Sequence, residues 1–239
     1  MTAAALLRVE GLGKRFGGFI ALQGVDLQVN AGDRLGLIGP NGSGKSTFVN
    51  CIAGDLPVHD GEVLLDGRSL HGLKPHRRAR LGLARTFQLP RPFRSLSVFD
   101  NVLVPLLQTG RPRGAAMDRA QECLEQVELA SSADRLPREL TQVALRRLEL
   151  ARAIALQPRL LVADEAMAGL SHGEIDQMLT LLHRLNADGV AVIMIEHIMR
   201  AVTEFAERLV VFVAGQKVAE GTPQEVLAMP EVEAAYLGR

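Results

Sequence analysis

Gly39-Pro40-Asn41-Gly42-Ser43-Gly44-Lys45-Ser46-Thr47 is the stretch on which the fold turns. It completes the pattern G-x-x-x-x-G-K-[S/T], and a short apolar run, Leu35–Ile38, leads into it. Downstream, Lys45–Ala53 reads as a helix that Gly54 stops. The glycines let successive backbone N–H groups curl around phosphate oxygens. The start of the helix adds unpaired N–H groups and a partial positive charge. Lys45 is expected to reach the β- and γ-phosphates, and Ser46 to offer its hydroxyl to Mg²⁺. Taken alone, the stretch specifies a nucleotide phosphate site. It does not choose between a small-molecule kinase, a GTPase, a DNA-repair ATPase and a transporter ATPase.

Working outward, Leu6–Glu10 reads as a strand, and Val25, Leu27 and Val29 alternate at strand period beside Leu22. Glu62–Leu65 is a strand closed by an Asp66-Gly67 turn. From about Ser97 to Gln157 the pattern is helical, with breaks near Pro112 and Pro137. One face there is Val98, Val102, Leu106 and Leu107; Leu124, Val127 and Leu129 mark a second stretch, and Leu148, Ala151, Ile154 and Ala155 a third. Continuous apolar runs return at Leu160–Ala163, Val190–Ile195 and Leu209–Val213. Such runs alternating with helices imply a parallel sheet buried on both faces. Ala214–Glu220 suggests an edge hairpin, and Thr222, Pro223 and Glu225 a capping box with proline at the first helical position.

The run Leu160–Ala163 ends in Asp164-Glu165. Side chains alternate along a strand, so the two acids point in different directions. Asp164 is placed to hold Mg²⁺ through water, and Glu165 to polarise the attacking water as a general base. His197, after the 190–195 run, could hydrogen-bond the γ-phosphate. Gln88 could contact Mg²⁺ and water. A lone His or Gln is more often structural, and these two gain meaning only from the order of the motifs around them.

Composition narrows the partners. Lys+Arg and Asp+Glu are 27 each, so the chain carries no strong electrostatic footprint for nucleic acid or anionic lipid. Membrane contact is therefore expected to run through a protein partner. No stretch of some 18 apolar residues is present, which argues against direct membrane insertion. Met1–Leu7 is apolar but short, lacks a basic start and runs into Arg8 and Glu10, so no signal peptide is expected. Cys51 and Cys123 have neither disulfide-framework nor metal-ligand spacing, as befits thiols in a reducing compartment.

Phosphate loop, Gln88, helical stretch, Asp164-Glu165 and His197, in that order, resemble the ATP-binding subunits of ABC transporters over nearly the whole chain. Phe16, in Lys14-Arg15-Phe16-Gly17-Gly18, matches the aromatic on which adenine stacks, and Gln88 the loop that couples nucleotide to the membrane subunits. Several phrases are similar to the subunits of branched-chain amino-acid importers. These are Arg15–Gly18, Ala84–Gln88, Arg146–Arg152, Ile195-Glu196-His197 and the ending Ala235-Tyr236-Leu237-Gly238. The resemblance implies an α/β P-loop NTPase core, with a mixed, mostly parallel sheet flanked by helices. It adds an N-terminal antiparallel β part and an inserted α-helical subdomain. The RecA-like core then spans 1–88 and 150–239, and the helical subdomain 89–149. It also implies Mg²⁺-dependent ATP hydrolysis on the inner face of the cell membrane, driving membrane-spanning permease subunits. Other solutes, such as lipid or an amide-containing compound, remain open. A non-transport ATPase acting on nucleic acid or ribosomes fits less well, because such proteins usually carry two cassettes or basic surfaces.

One motif departs from the family. Aligned without gaps from Asp164, the signature Leu-Ser-Gly-Gly-Gln falls on Leu140-Thr141-Gln142-Val143-Ala144. Thr141 keeps a hydroxyl, Val143 replaces a glycine and Ala144 a glutamine. In the family the signature of one subunit presses on the γ-phosphate held by the other. A β-branched residue blocks that close backbone approach. The expected working unit is therefore a heterodimer with a second ATP-binding subunit. Ala166 also stands where a proline is usual, and Ser171 where Asp or Asn is common; Ser171-His172-Gly173-Glu174 reads as a capping box.

Overall fold

The computed structural model describes residues 5–237. In chain order the first half holds β1 (Leu7–Phe16), β2 (Phe19–Val29), β3 (Arg34–Ile38), α1 (Lys45–Ala53), β4 (Asp60–Leu65), β5 (Arg68–Ser69), α2 (Pro75–Arg80) and β6 (Leu83–Arg85). Then come α3 (Val98–Leu107), α4 (Arg113–Gln126), 3₁₀ turns at Ala130–Ser132 and Pro137–Glu139, and α5 (Gln142–Ile154). The last part is β7 (Leu160–Asp164), α6 (His172–Ala187), β8 (Ala191–Ile195), α7 (Met199–Phe205), β9 (Arg208–Val213), β10 (Gln216–Gly221), α8 (Pro223–Leu227) and α9 (Pro230–Leu237). Met1–Ala4 of the N-terminal run and Gly238 of the closing phrase lie outside the described residues.

The strands form two sheets. One is antiparallel, in the order β2-β1-β4-β5. The other runs β10-β9-β3-β8-β7-β6, and every neighbouring pair is parallel except β10 with β9. Alternation along the parallel strands divides the core in two. Leu160, Val162, Ile193 and Val210 face one cluster, where α1 packs through Phe48, Val49 and Ile52 against both sheets. Leu161, Ala163, Val192, Met194 and Val211 face the other, under α3 to α7. Each such side chain contributes roughly 1.5–3 kcal/mol by leaving water, which is why these runs tolerate almost no polar residue. Arg78 fixes the far end of α1: its buried guanidinium donates to the carbonyls of Cys51 and Ile52 at 2.8 and 2.9 Å.

Parallel pairing has one consequence for function. The C-terminal ends of β3, β6, β7 and β8 all emerge at the same edge of the sheet, where an open α/β fold binds ligands. They are followed by the phosphate loop, the segment of Gln88, Asp164-Glu165 and His197.

The sequence reading needs three adjustments. β6 is a strand that three residues of mixed character, Leu83-Ala84-Arg85, do not announce. β1 continues to Phe16, past Gly11 and Gly13, because register shifts along its pairing with β2 absorb the irregularity. Leu107 does not join Val98, Val102 and Leu106 on the buried face of α3; it is 39% exposed, and Leu103 is buried instead. Pro105 sits inside that helix. The hairpin of β9 and β10 and the capping box at Thr222 are as expected.

Asn101 on α3 is 0% exposed. Its amide donates to the carbonyls of Phe93, Leu96 and Ser97, and its Oδ1 accepts the N–H of Phe93 at 2.7 Å. It therefore moulds the segment that follows Gln88. Asn101→Ala strands these groups and is expected to lower unfolding free energy by about 2–4 kcal/mol, read from urea melts.

Candidate nucleotide site

The loop between β3 and α1 is built from backbone that only glycine adopts readily. Gly42 and Gly44 lie at φ 77° and 105°. A side chain at Gly39 would bring its Cβ within 2.2 Å of the Phe212 carbonyl. Lys45 turns back along the loop and donates to the carbonyls of Gly39 and Pro40 at 2.7 and 3.0 Å. Burial holds its pKa below the usual lysine value, against the pull of Glu165 and Asp164. The Ser43 hydroxyl is buried and has no protein partner. Beside the loop lies an open cleft of about 260 Å³, lined by Phe16, Phe19, Ala21, Asn41, Gly42, Ser43, Gly44, Lys45, Ser46, Thr47, Glu165 and His197. Gly39 and Pro40 form the shoulder that anchors Lys45.

At the end of β7 the acids diverge: Asp164 closes the strand, and Glu165 falls just outside it in left-handed backbone, so the turn and not strand alternation aims its side chain. Asp164 turns inward, where its backbone N–H donates to Thr86 Oγ1 at 3.1 Å and its carboxylate meets Arg85 at 3.0 Å. Burial raises the Asp164 pKa and Arg85 opposes that rise. Glu165 is one of the few non-glycine residues at positive φ, 46°. Its Oε2 accepts from Gln88 Nε2 at 2.5 Å, and its Oε1 lies 3.1 Å from His197 Nε2. Three residues taken from three separate segments thus make one hydrogen-bonded chain, Gln88–Glu165–His197, at the mouth of the cleft.

The signature segment stands apart. None of Leu140–Ala144 lines this cleft. Thr141 caps α5 by accepting from Ala144 N, and Gln142 donates to the carbonyl of Ala168 at 3.2 Å. Ser171 does cap α6, with Glu174 accepting from its N–H and hydroxyl.

Sequence reasoning missed four residues. Phe19 faces Phe16 across the Gly17-Gly18 turn and lines the same cleft; a two-residue glycine turn between two aromatics was the available signal. Arg85 holds Asp164, and Arg146 and Glu196 lie buried behind Glu165. The last two lie in the phrases Arg146–Arg152 and Ile195-Glu196-His197, whose resemblance to importer subunits gave neither residue a role. Glu196 accepts from Met167 N at 2.8 Å, and burial pushes its carboxyl up to about 7.

A glycine-rich phosphate loop joined to a parallel sheet, with an acidic strand end beside it, defines a P-loop NTPase. Comparison with known proteins narrows this. The family model described as ABC transporter matches residues 22–168, and that described as branched-chain amino acid ATP-binding cassette transporter matches residues 216–239. The high-affinity branched-chain amino acid transport ATP-binding protein BraF of Pseudomonas aeruginosa is 38% identical, over 98% of each chain. The ADP conformation of the ATP-binding cassette MJ1267 superimposes with a TM-score of 0.90 at 32% identity, covering 99% of this chain and 100% of that one. A dimeric post-hydrolysis cassette, MJ0796 with ADP and phosphate, gives 0.81 at 27% identity over 91% of this chain and 98% of that one. The chain belongs to the ABC transporter family and is an ATP-binding subunit of such a transporter.

The raised pKa of Glu196 makes stability depend on pH. Its folded value, about 7, lies above the ordinary 4.5, so its contribution is complete below pH 4.5 and is lost as pH rises through 7. Glu196→Gln removes that loss. The variant's melting temperature is expected to gain on the wild type between pH 5 and 8, by an amount on the order of 1–3 kcal/mol of stability, at about 2–4 °C per kcal/mol. Two melting curves that stay parallel across this range would contradict it.

Proposed function

We propose that this cassette hydrolyses ATP to ADP and phosphate with Mg²⁺ and couples the reaction to solute movement through membrane-spanning permease subunits. The observation that carries the reading is the Gln88–Glu165–His197 chain beside the phosphate loop. Adenine stacks on Phe16, and the loop from Gly39 to Thr47 receives the phosphates. The unpartnered Ser43 hydroxyl and the Lys45 ammonium suit phosphate oxygens. Ser46, Gln88 and Asp164 offer the oxygen donors that Mg²⁺ prefers. Among the described residues no three His, Cys, Asp or Glu groups cluster as a metal site. When bound, Mg²⁺ supplies charge neutralisation at those oxygens. Glu165 takes a proton from the attacking water, whose oxygen bonds to the γ-phosphorus while the bond to the bridging oxygen of ADP breaks. His197 orients the γ-phosphate, and Gln88 orients Glu165 and the water.

The helical subdomain, 89–149, is assigned to permease contact. Leu89 and Phe93, just after Gln88, are 74% and 41% exposed, which favours a protein partner covering them. No described helix is long and apolar enough to cross a membrane, in keeping with a peripheral place on the inner face. The similarity to BraF supports branched-chain amino acids, or a related small solute, as the cargo.

The test compares two variants in the purified transporter. Lys45→Ala is expected to abolish tight ATP binding. Glu165→Gln is expected to bind ATP as the wild type does but to stop turnover, because it keeps the shape and loses the base. Unchanged affinity in the first, or wild-type rates in the second, would overturn the assignments.

The signature supports a heterodimer. Val143 denies a facing γ-phosphate the close backbone approach that glycine permits. An intact signature on a different subunit would close ATP on this chain's loop, and the reciprocal site would be weak. The isolated chain is then expected to turn over slowly at saturating Mg·ATP, and Val143→Gly with Ala144→Gln to raise the rate several-fold. Brisk hydrolysis by the unmodified chain, with no gain on restoration, rules this arrangement out.

A further inference from the structure

Arg146 is 5% exposed, lies on α5 and touches neither the phosphate loop nor its cleft. One guanidinium nitrogen, Nη1, donates to the carbonyls of Gln88 and Phe87; the other, Nη2, donates to the carbonyl of Ala168 at 3.2 Å. The first two belong to the segment of Gln88, and the third lies three residues beyond Glu165. A planar fork with fixed spacing between its nitrogens is suited to holding two strands of backbone at a set distance. Gln142, one helical turn earlier on α5, donates to the same Ala168 carbonyl.

The segment after Glu165 needs such support. Ala166 leaves its backbone freer than the family's proline, and Glu165 itself sits at positive φ. Glu196, 3% exposed, accepts from Met167 N. Two consecutive residues, Met167 and Ala168, are thus pinned by buried side chains, Glu196 and Arg146. Stability alone does not explain a buried guanidinium: burial disfavours its charge, and its Nε has no partner. An apolar side chain of similar volume often serves a fold as well or better.

Resting on ATP hydrolysis as proposed above, we propose that Arg146 is a positioning residue for that step, its fork setting the spacing between Gln88 and Glu165 and tying both to the helix that the signature begins. The 2.5 Å contact between Gln88 and Glu165 is then a property of α5 as well as of the sheet. Any shift of α5 along its axis pulls on both segments together.

The experiment measures steady-state ATP hydrolysis and equilibrium ATP binding in the transporter carrying Arg146→Met, Arg146→Lys, Gln88→Ala, the double variant Gln88→Ala with Arg146→Met, or Glu165→Gln. Arg146→Met is expected to lower kcat about 10- to 100-fold, the scale of a misplacement near 1 Å, and to leave KM and ATP affinity within about threefold. The double variant is expected to be no more than about twofold slower than Gln88→Ala alone, because Arg146 acts through that contact. Multiplying losses, or a rise in KM with kcat intact, overturns the inference. Should Arg146→Met fail to fold, Arg146→Lys decides. Its single ammonium keeps the charge without the fork, so a several-fold loss of kcat at unchanged affinity supports the inference and a wild-type kcat refutes it. Inactive Glu165→Gln beside fully active Arg146 variants removes this inference and leaves the function standing. Active Glu165→Gln removes both.

Discussion

Parallel hydrogen bonding between β3, β8, β7 and β6 is the constraint on which the site depends. Parallel strands share a direction, so their C-terminal ends share an edge. Leu37 registers with Ile195, and Ile195 with Asp164, so the phosphate loop, the acidic pair and His197 begin within one or two residues of a common line. The apolar faces of these strands are buried on both sides, and a slip of one residue would turn every core side chain toward the wrong cluster. Fixing the core therefore fixes the spacing of Lys45, Glu165 and His197, which lie far apart along the chain.

Much of this was legible because the signals were dense. The phosphate loop combines glycines, lysine and hydroxyl in a short span, and the strands around it are continuous apolar runs. The acidic pair was readable because it ends such a run. Other features were not legible for physical reasons. β6 is three residues long and its Arg85 points to Asp164, so it carries neither apolar continuity nor clean alternation. Leu107 and Leu103 differ in burial through the rotation of α3 on its neighbours, which sequence period fixes only to within a residue. Arg146 and Glu196 act through contacts across space, with no periodic pattern to mark them, and Phe19 was marked only by the glycine turn that it shares with Phe16.

The signature segment shows a helix start turned to internal use. Thr141 and Gln142 are used within this chain, one as a cap and the other as a donor to Ala168. A glycine at position 142 would have no such side chain. The substitution at Val143 thus sits beside a neighbour already committed inward, and the start of α5 is tied to its own chain through Thr141 and Gln142.

Lys45 offers a last consequence. Its ammonium donates to the carbonyls of Gly39 and Pro40, which take two of its three N–H donors. Two neutral dipoles hold the side chain folded back along the loop without neutralising its charge. So tethered, the lysine has little rotamer freedom left to lose to any anion that meets it, and the entropy of ordering a long cationic side chain is spent by the fold in advance.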